Sequence, residues 1–141
     1  MPTEIAFWDT SALLPLCVRQ DSTPKAVQLA RSYNLMTVWW GTAVEMECAL
    51  ARQFSSAEAE SERRARSFWR RLQNRVREIS PSERVRALAL QLPSVYGLRA
   101  MDSFQLSAAL VWSREKPRHR PFICFDEKLA AAAEKAGFTI L

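Results

Sequence analysis

The sequence predicts an α/β domain built on a mainly parallel sheet with helices on both faces. Three observations predict it. Short apolar runs alternate with helical stretches along the whole chain, the pattern of successive strand–helix units. At 141 residues the chain falls within the size of one domain, so residues 1–141 are read as a single unit. A hydrophobic content of 48% is enough for a buried core and too high for a disordered chain.

Residues 4–8, containing Ile5-Ala6-Phe7-Trp8, form the first expected strand. Thr10 or Ser11 then caps a helix through Leu13, Leu14, Leu16 and Val18, with Pro15 near the first turn, where a missing N–H costs least. After an Asp21-Ser22 turn, Thr23-Pro24 opens a second helix that runs to about Tyr33. Leu35 to Trp40 reads as a second strand, and Thr42 caps a third helix ending near Phe54. Ser56 to Ile79 reads as one long amphipathic helix. Ala65, Phe68, Trp69, Leu72, Val76 and Ile79 share one arc of it, opposite Arg63, Arg64, Arg66, Arg70, Arg71, Arg75 and Arg77. Ser80-Pro81-Ser82 breaks this helix. Glu83 to about Leu92 is helical again, Pro93 to Met101 a loop, and Asp102 to Ser113 a helix rich in Ala and Leu. Lys116 to Pro121 is a basic loop, 122–125 a strand and 127–136 a helix. Gly137 is the left-handed stop of that helix, and Phe138 to Leu141 a last short strand.

The net charge of +5 favours a polyanionic partner, and most of the 20 basic residues are arginine, which suits forked contacts to phosphate or carboxylate. Cys17, Cys48 and Cys124 are odd in number and form no CxxC, so free thiols in a reducing compartment are expected. Met1-Pro2-Thr3-Glu4 lacks the basic region of a signal peptide. No apolar run approaches the roughly 20 residues a membrane helix needs. A cytoplasmic protein with no membrane contact is the expectation.

Four acids stand at strand ends or near helix starts: Asp9, Glu45, Asp102 and Asp126. In an open α/β sheet, ligands sit outside the carboxyl ends of the strands, so these distant residues converge at one edge if the fold is right. Such a cluster repels itself unless protons or a cation neutralise it. Oxygen ligands favour Mg²⁺ or Mn²⁺, and a carboxylate-held cation beside a basic surface points to phosphodiester hydrolysis.

The motifs around these acids resemble PIN-domain ribonucleases. Trp8-Asp9-Thr10-Ser11-Ala12-Leu13 resembles the family's opening, and Trp39-Trp40-Gly41-Thr42-Ala43-Val44-Glu45, with Ala49-Leu50-Ala51-Arg52, its second acidic motif. Leu98-Arg99-Ala100-Met101-Asp102-Ser103-Phe104-Gln105-Leu106 resembles the third. Phe125-Asp126-Glu127-Lys128-Leu129-Ala130, with Gly137-Phe138, resembles the fourth. The order and spacing match across essentially the whole chain. The compact single-domain size most resembles VapC-type toxins. That resemblance implies a three-layer α/β/α sandwich, a Mg²⁺ or Mn²⁺ site, RNA as substrate, a homodimer, and an antitoxin protein that inserts a segment near the site. Pro15 departs from the family's regular first helix and leaves the acidic motifs intact.

Each site residue also has a plainer reading. Asp9 suits a turn after a strand, and Asp102 a helix N-cap, a role compatible with metal binding. Glu45 competes with Glu47, but two residues apart on a helix they point to different sides, and the motif register selects Glu45. Asp126 competes with Glu127 and is better placed as the first residue after the strand. Ser11 serves as a cap, or orients water or a phosphate oxygen as part of a substrate site. Arg52, seven positions after Glu45 on the same helical face, contacts phosphate or pairs with an acid. The arginine face of residues 63–77 is a solvated surface, an RNA-backbone surface or a dock for an acidic antitoxin segment. His119 decorates a basic loop, which argues against a histidine-dependent, metal-free ribonuclease. Trp39, Trp40, Trp69 and Trp112 pack core or dimer surface, with base stacking secondary.

These expectations combine into a metal-dependent endoribonuclease, the toxin of a type II toxin–antitoxin pair. Metal-activated water attacks the phosphate in line, leaving 5′-phosphate and 3′-hydroxyl ends. The alternatives are a housekeeping RNA-processing nuclease of the same family, a non-catalytic RNA-binding domain, and a phosphoryl-transfer domain using Asp9 or Asp126 as nucleophile.

Overall fold

A computed structural model describes residues 4–141; Met1 to Thr3, read above for a leader, lie outside the described residues. Five parallel strands form one sheet in the order β3-β2-β1-β4-β5. They are β1 (Ile5–Trp8), β2 (Leu35–Trp39), β3 (Arg77–Ile79), β4 (Pro121–Ile123) and β5 (Thr139–Ile140). The register is fixed by pairs such as Ile5 with Leu35, Trp8 with Ile123 and Val38 with Glu78. Among the described residues seven α-helices connect and cover the strands: α1 (Thr10–Cys17), α2 (Thr23–Ser32), α3 (Thr42–Gln53), α4 (Ala59–Gln73), α5 (Glu83–Tyr96), α6 (Ala100–Trp112) and α7 (Glu127–Ala136). This is the three-layer α/β/α sandwich expected from the motifs.

Strand alternation builds two cores. On one face Ala6, Trp8, Met36, Val38 and Ile123 pack against Leu13 of α1, Met46 and Leu50 of α3, and Ala65, Trp69 and Leu72 of α4. On the other face Phe7, Trp39 and Phe122 meet Val85 and Leu92 of α5, Leu106 of α6, and Leu129 and Ala133 of α7. Large side chains such as Trp8, Trp69, Phe7 and Phe122 are wholly buried, and the two phenylalanines each contribute about 1.5–3 kcal/mol by leaving water. Among the described residues no helix is long and apolar enough to cross a membrane.

Several local expectations need correction. The long helix over 56–79 ends at Gln73. Ser56–Glu58 is a 3₁₀ turn closed by a capping box between Ser55 and Glu58. Arg77–Ile79 leaves the helix to pair with β2, where the Trp40 N–H donates to the Ile79 carbonyl. That pairing covers an otherwise open sheet edge, a gain invisible to a helical wheel. α5 runs through Pro93 to Tyr96. Pro93 sits in the last turn, and its carbonyl accepts the N–H of Gly97, which is left-handed (φ 68°) and ends the helix. α6 begins at Ala100, so Asp102 stands in its first turn and the cap position belongs to Arg99. Asp9, not Thr10 or Ser11, caps α1. Gly41 occupies the cap position expected of Thr42, because the Trp39 indole folds over it and a Cβ there would collide with that ring. Gly137 ends α7 as expected, with φ 119° and Pro117 too close for a side chain.

Candidate functional site

Residues at the carboxyl ends of β1, β2 and β4, with the start of α6, form one polar cluster. Asp9 follows β1 directly and is buried. Its Oδ2 accepts the Ser11 main-chain N–H (3.1 Å) and the Ser11 hydroxyl (2.6 Å), the geometry of a helix cap. The Ser11 Oγ in turn accepts the Phe125 N–H (2.9 Å). One hydroxyl therefore clasps the end of β1 to the β4–α7 turn that carries Asp126. Ser11 is committed to these partners, which favours an organising role over direct contact with substrate. Ser11→Ala leaves the Phe125 N–H unpaired and should cost about 1–3 kcal/mol. Urea denaturation in EDTA would read this as a lower midpoint with an unchanged slope. An unchanged midpoint would mean that solvent replaces the clasp without loss.

Glu45 sits in the first turn of α3, delivered there by the tight Gly41 turn. The Gln105 amide of α6 donates to its Oε1 (2.8 Å), and the Thr10 hydroxyl also favours its ionised form. Burial outweighs both donors and, with the charges of Asp9 and Asp102, pushes Glu45 up to about 7. Asp102, half-buried in the first turn of α6, is raised by burial and then by the charges of Asp126 and Asp9; Lys128 and Arg99 partly offset this. Asp9 is raised by burial against the donors from Ser11, Thr10 and Cys124. Asp126 is exposed and caps α7 by accepting the Leu129 N–H (3.0 Å). Of the competing acids, Glu47 is engaged elsewhere, paired with Arg66 at 2.7 Å, and Glu127 is exposed in the first turn of α7, next to Asp126. All four predicted acids thus share one electrostatic neighbourhood.

Arg52 does not join the cluster by any contact. It is exposed in the last turn of α3, with no ion pair among the described residues. The arginines of α4 belong to that helix's outer surface, where Arg66 also meets Glu62 and Arg71 lies over the Phe68 ring. Four residues at the site were not singled out from the sequence for such a place: Thr10, Thr42, Gln105 and Cys124. The Cys124 thiol lies 3.6 Å from Asp9 Oδ2 and 3.4 Å from the Asp126 carbonyl, and burial and the Asp9 charge keep it protonated. Gln105 carried the one usable signal, a polar residue one turn after Asp102 in a run of Ala and Leu.

An all-carboxylate donor set suits a hard divalent cation; burial is the larger cause of the upward shifts, and the charges of the neighbouring acids, which a cation would offset, add to it. Asp9, Glu45, Asp102 and Asp126 are the residues that could hold one. Among the described residues, however, no three acidic, histidine or cysteine side chains are already arranged around a metal position.

Comparison with known proteins gives a likeness of fold. No protein-family model and no curated protein sequence matches the chain. Solved structures do. A chain of a toxin–antitoxin complex from Klebsiella pneumoniae aligns with a TM-score of 0.65 at 18% identity, covering 89% of this chain and 90% of its own length. A chain of FitAcB from Neisseria gonorrhoeae aligns at 0.64 and 17% identity, covering 96% and 97%. A chain of VapBC2 from Rickettsia felis, solved with a promoter DNA fragment, aligns at 0.64 and 12% identity, covering 97% of each. At these identities the likeness concerns architecture: the chain has the PIN-like α/β/α fold, shared over nearly its whole length with these three chains.

Proposed function

We propose that this chain is a metal-dependent endoribonuclease acting in the cytoplasm as the toxin of a toxin–antitoxin pair. The observation that carries the proposal is the convergence of Asp9, Glu45, Asp102 and Asp126 at the carboxyl end of a parallel sheet, where this architecture binds ligands. The fold it shares with chains of toxin–antitoxin complexes supports an antitoxin as partner. These four residues would hold Mg²⁺ or Mn²⁺. When bound, the cation supplies Lewis acidity toward water and the scissile phosphate. The chain's own residues do the rest. Asp9 and Asp126 are fixed by their caps, and Glu45 is fixed by Gln105. Asp102, free of a capping duty, is the carboxylate best placed to accept a proton from the attacking water. Water as nucleophile leaves 5′-phosphate and 3′-hydroxyl ends.

Purified protein incubated with total bacterial RNA should yield discrete fragments with Mg²⁺ or Mn²⁺ and none with EDTA. Induced expression should arrest growth, and co-expression of the cognate antitoxin should restore it. Intact RNA with metal supplied, or growth unaffected by expression, would contradict the proposal.

We also propose a homodimer. A groove of about 840 Å³ runs between the β2–α3 turn, α5 and α6, with an apolar lining that includes Trp40, Val44, Leu90 and Met101. These residues are 54%, 62%, 69% and 45% exposed, and they line one continuous groove. A second copy related by a two-fold axis would cover it, with Glu83 and Arg86 on the rim offering charges of both signs. Light scattering at micromolar concentration should give a dimer for the wild type and a monomer for Leu90→Glu. A monomeric wild type would contradict this assignment.

A further inference from the structure

We infer that Gln105 is a positioning residue that sets the carboxylate of Glu45 for cation binding; this rests on the proposal that the four acids hold a metal. Gln105 is completely buried on α6, one turn after Asp102, among Leu106, Ala108 and Ala109. Its Nε2 lies 2.8 Å from Glu45 Oε1, 2.9 Å from Thr42 Oγ1 and 3.3 Å from Thr10 Oγ1. One amide therefore joins three elements that carry acids: α1 beside Asp9, α3 with Glu45, and its own helix with Asp102.

Packing alone does not account for an amide there. The Gln105 carbonyl finds no hydrogen-bond partner among the described residues, and a buried unpaired acceptor is unfavourable. An unbranched apolar side chain of the same length would fill the space without that cost. What methionine would not supply is the pair of N–H donors, and the shorter of their contacts run to Glu45 and Thr42. Two hydrogens face three oxygens, so the amide ranks them by distance and the Thr10 hydroxyl is left as the adjustable member. Residues standing behind a ligand orient it, and their removal typically weakens metal affinity about 10–100-fold.

The test is a double-mutant cycle on Mn²⁺ affinity of the metal-free full chain, read by the EPR signal of free Mn²⁺ and by calorimetry. Gln105→Met should raise the Mn²⁺ dissociation constant about 10–100-fold, while thermal denaturation in EDTA shows a cooperatively folded protein. In a Glu45→Gln background the same change should alter affinity less than about 2-fold, because its effect passes through Glu45. If Gln105→Met does not fold, Gln105→Asn carries the same test, since it keeps an amide but withdraws it by one methylene. Wild-type affinity in Gln105→Met, or the same loss in both backgrounds, would overturn the positioning role and leave the metal site standing. A wild type that binds no Mn²⁺ at millimolar concentration would remove the metal site itself, and the positioning role with it.

Discussion

Asp102→Asn should abolish metal-dependent RNA cleavage while leaving the fold intact, with kcat/KM lower by at least about 10²–10³-fold, the usual loss for one preorganised electrostatic group. Asp102 is the most informative of the four acids because it has no other structural duty. Asp9 caps α1 and Asp126 caps α7, so substitutions there also forfeit a cap worth about 1 kcal/mol. Asp102 lies in the first turn of α6 and is held above its ordinary value by burial and by the charges of Asp126 and Asp9. Asparagine preserves its shape and relieves that repulsion. The metal-free variant should therefore melt at or slightly above the wild-type temperature at pH 8, even as cleavage of total RNA disappears. Cleavage at the wild-type rate by a pure variant would remove Asp102 from the machinery.

The second large effect is a stability that falls as pH rises and is restored by divalent cation. Glu45 sits at about 7 in the folded chain against 4.5 for a free side chain. Between those values the native state holds a proton that the unfolded chain has released, so stability decreases from pH 4.5 to 7 and levels off above. Asp102 and Asp9 are raised as well and add to the same trend. The exposed Glu58 and Glu115 are shifted down, and their contribution is lost only at more acid pH. Glu45 is half-buried, so solvent screening reduces the effect below the full shift. A fall in Tm of about 4 °C between pH 5 and 8 in EDTA is expected, as ~1 kcal/mol produces in a domain of this size. Millimolar Mn²⁺ should reverse it at pH 8, where the carboxylates are ionised, and do little at pH 5. A flat Tm profile in EDTA would mean that burial and neighbouring charge do not hold these carboxyls above their ordinary values in solution.

The alternation of apolar runs and helices made the layered parallel sheet legible, since the inner strands β1, β2 and β4 are largely buried and stand out as short apolar runs between helices. The four acids were legible because each follows a strand or opens a helix, positions that backbone topology alone brings together. Elements that depend on distant partners were not. Arg77–Ile79 continues a helical wheel convincingly and becomes a strand only because the edge of β2 is open to it. Pro93 looks like a helix stop, yet in the last turn it forfeits only one hydrogen bond, and Leu92 and Tyr96 keep packing on the core. The polar contacts among Ser11, Phe125, Gln105, Thr42 and Glu45 join residues up to 114 positions apart. No local pattern encodes such contacts. Gln105 shows the limit well: a long polar side chain in a helix rich in Ala and Leu marks something unusual, but its partners emerge only when α1, α3 and α6 meet.

The central claim is that this acid cluster hydrolyses RNA with a divalent cation, and the chemistry of the cut ends tests it most directly. Purified protein and total bacterial RNA, incubated with Mn²⁺ or with EDTA, should give fragments only with Mn²⁺. Those fragments should carry 5′-phosphates that a 5′-phosphate-dependent exonuclease accepts, and 3′-hydroxyls that poly(A) polymerase extends. Fragments ending in 2′,3′-cyclic phosphate, or cleavage that persists in EDTA, would contradict the account.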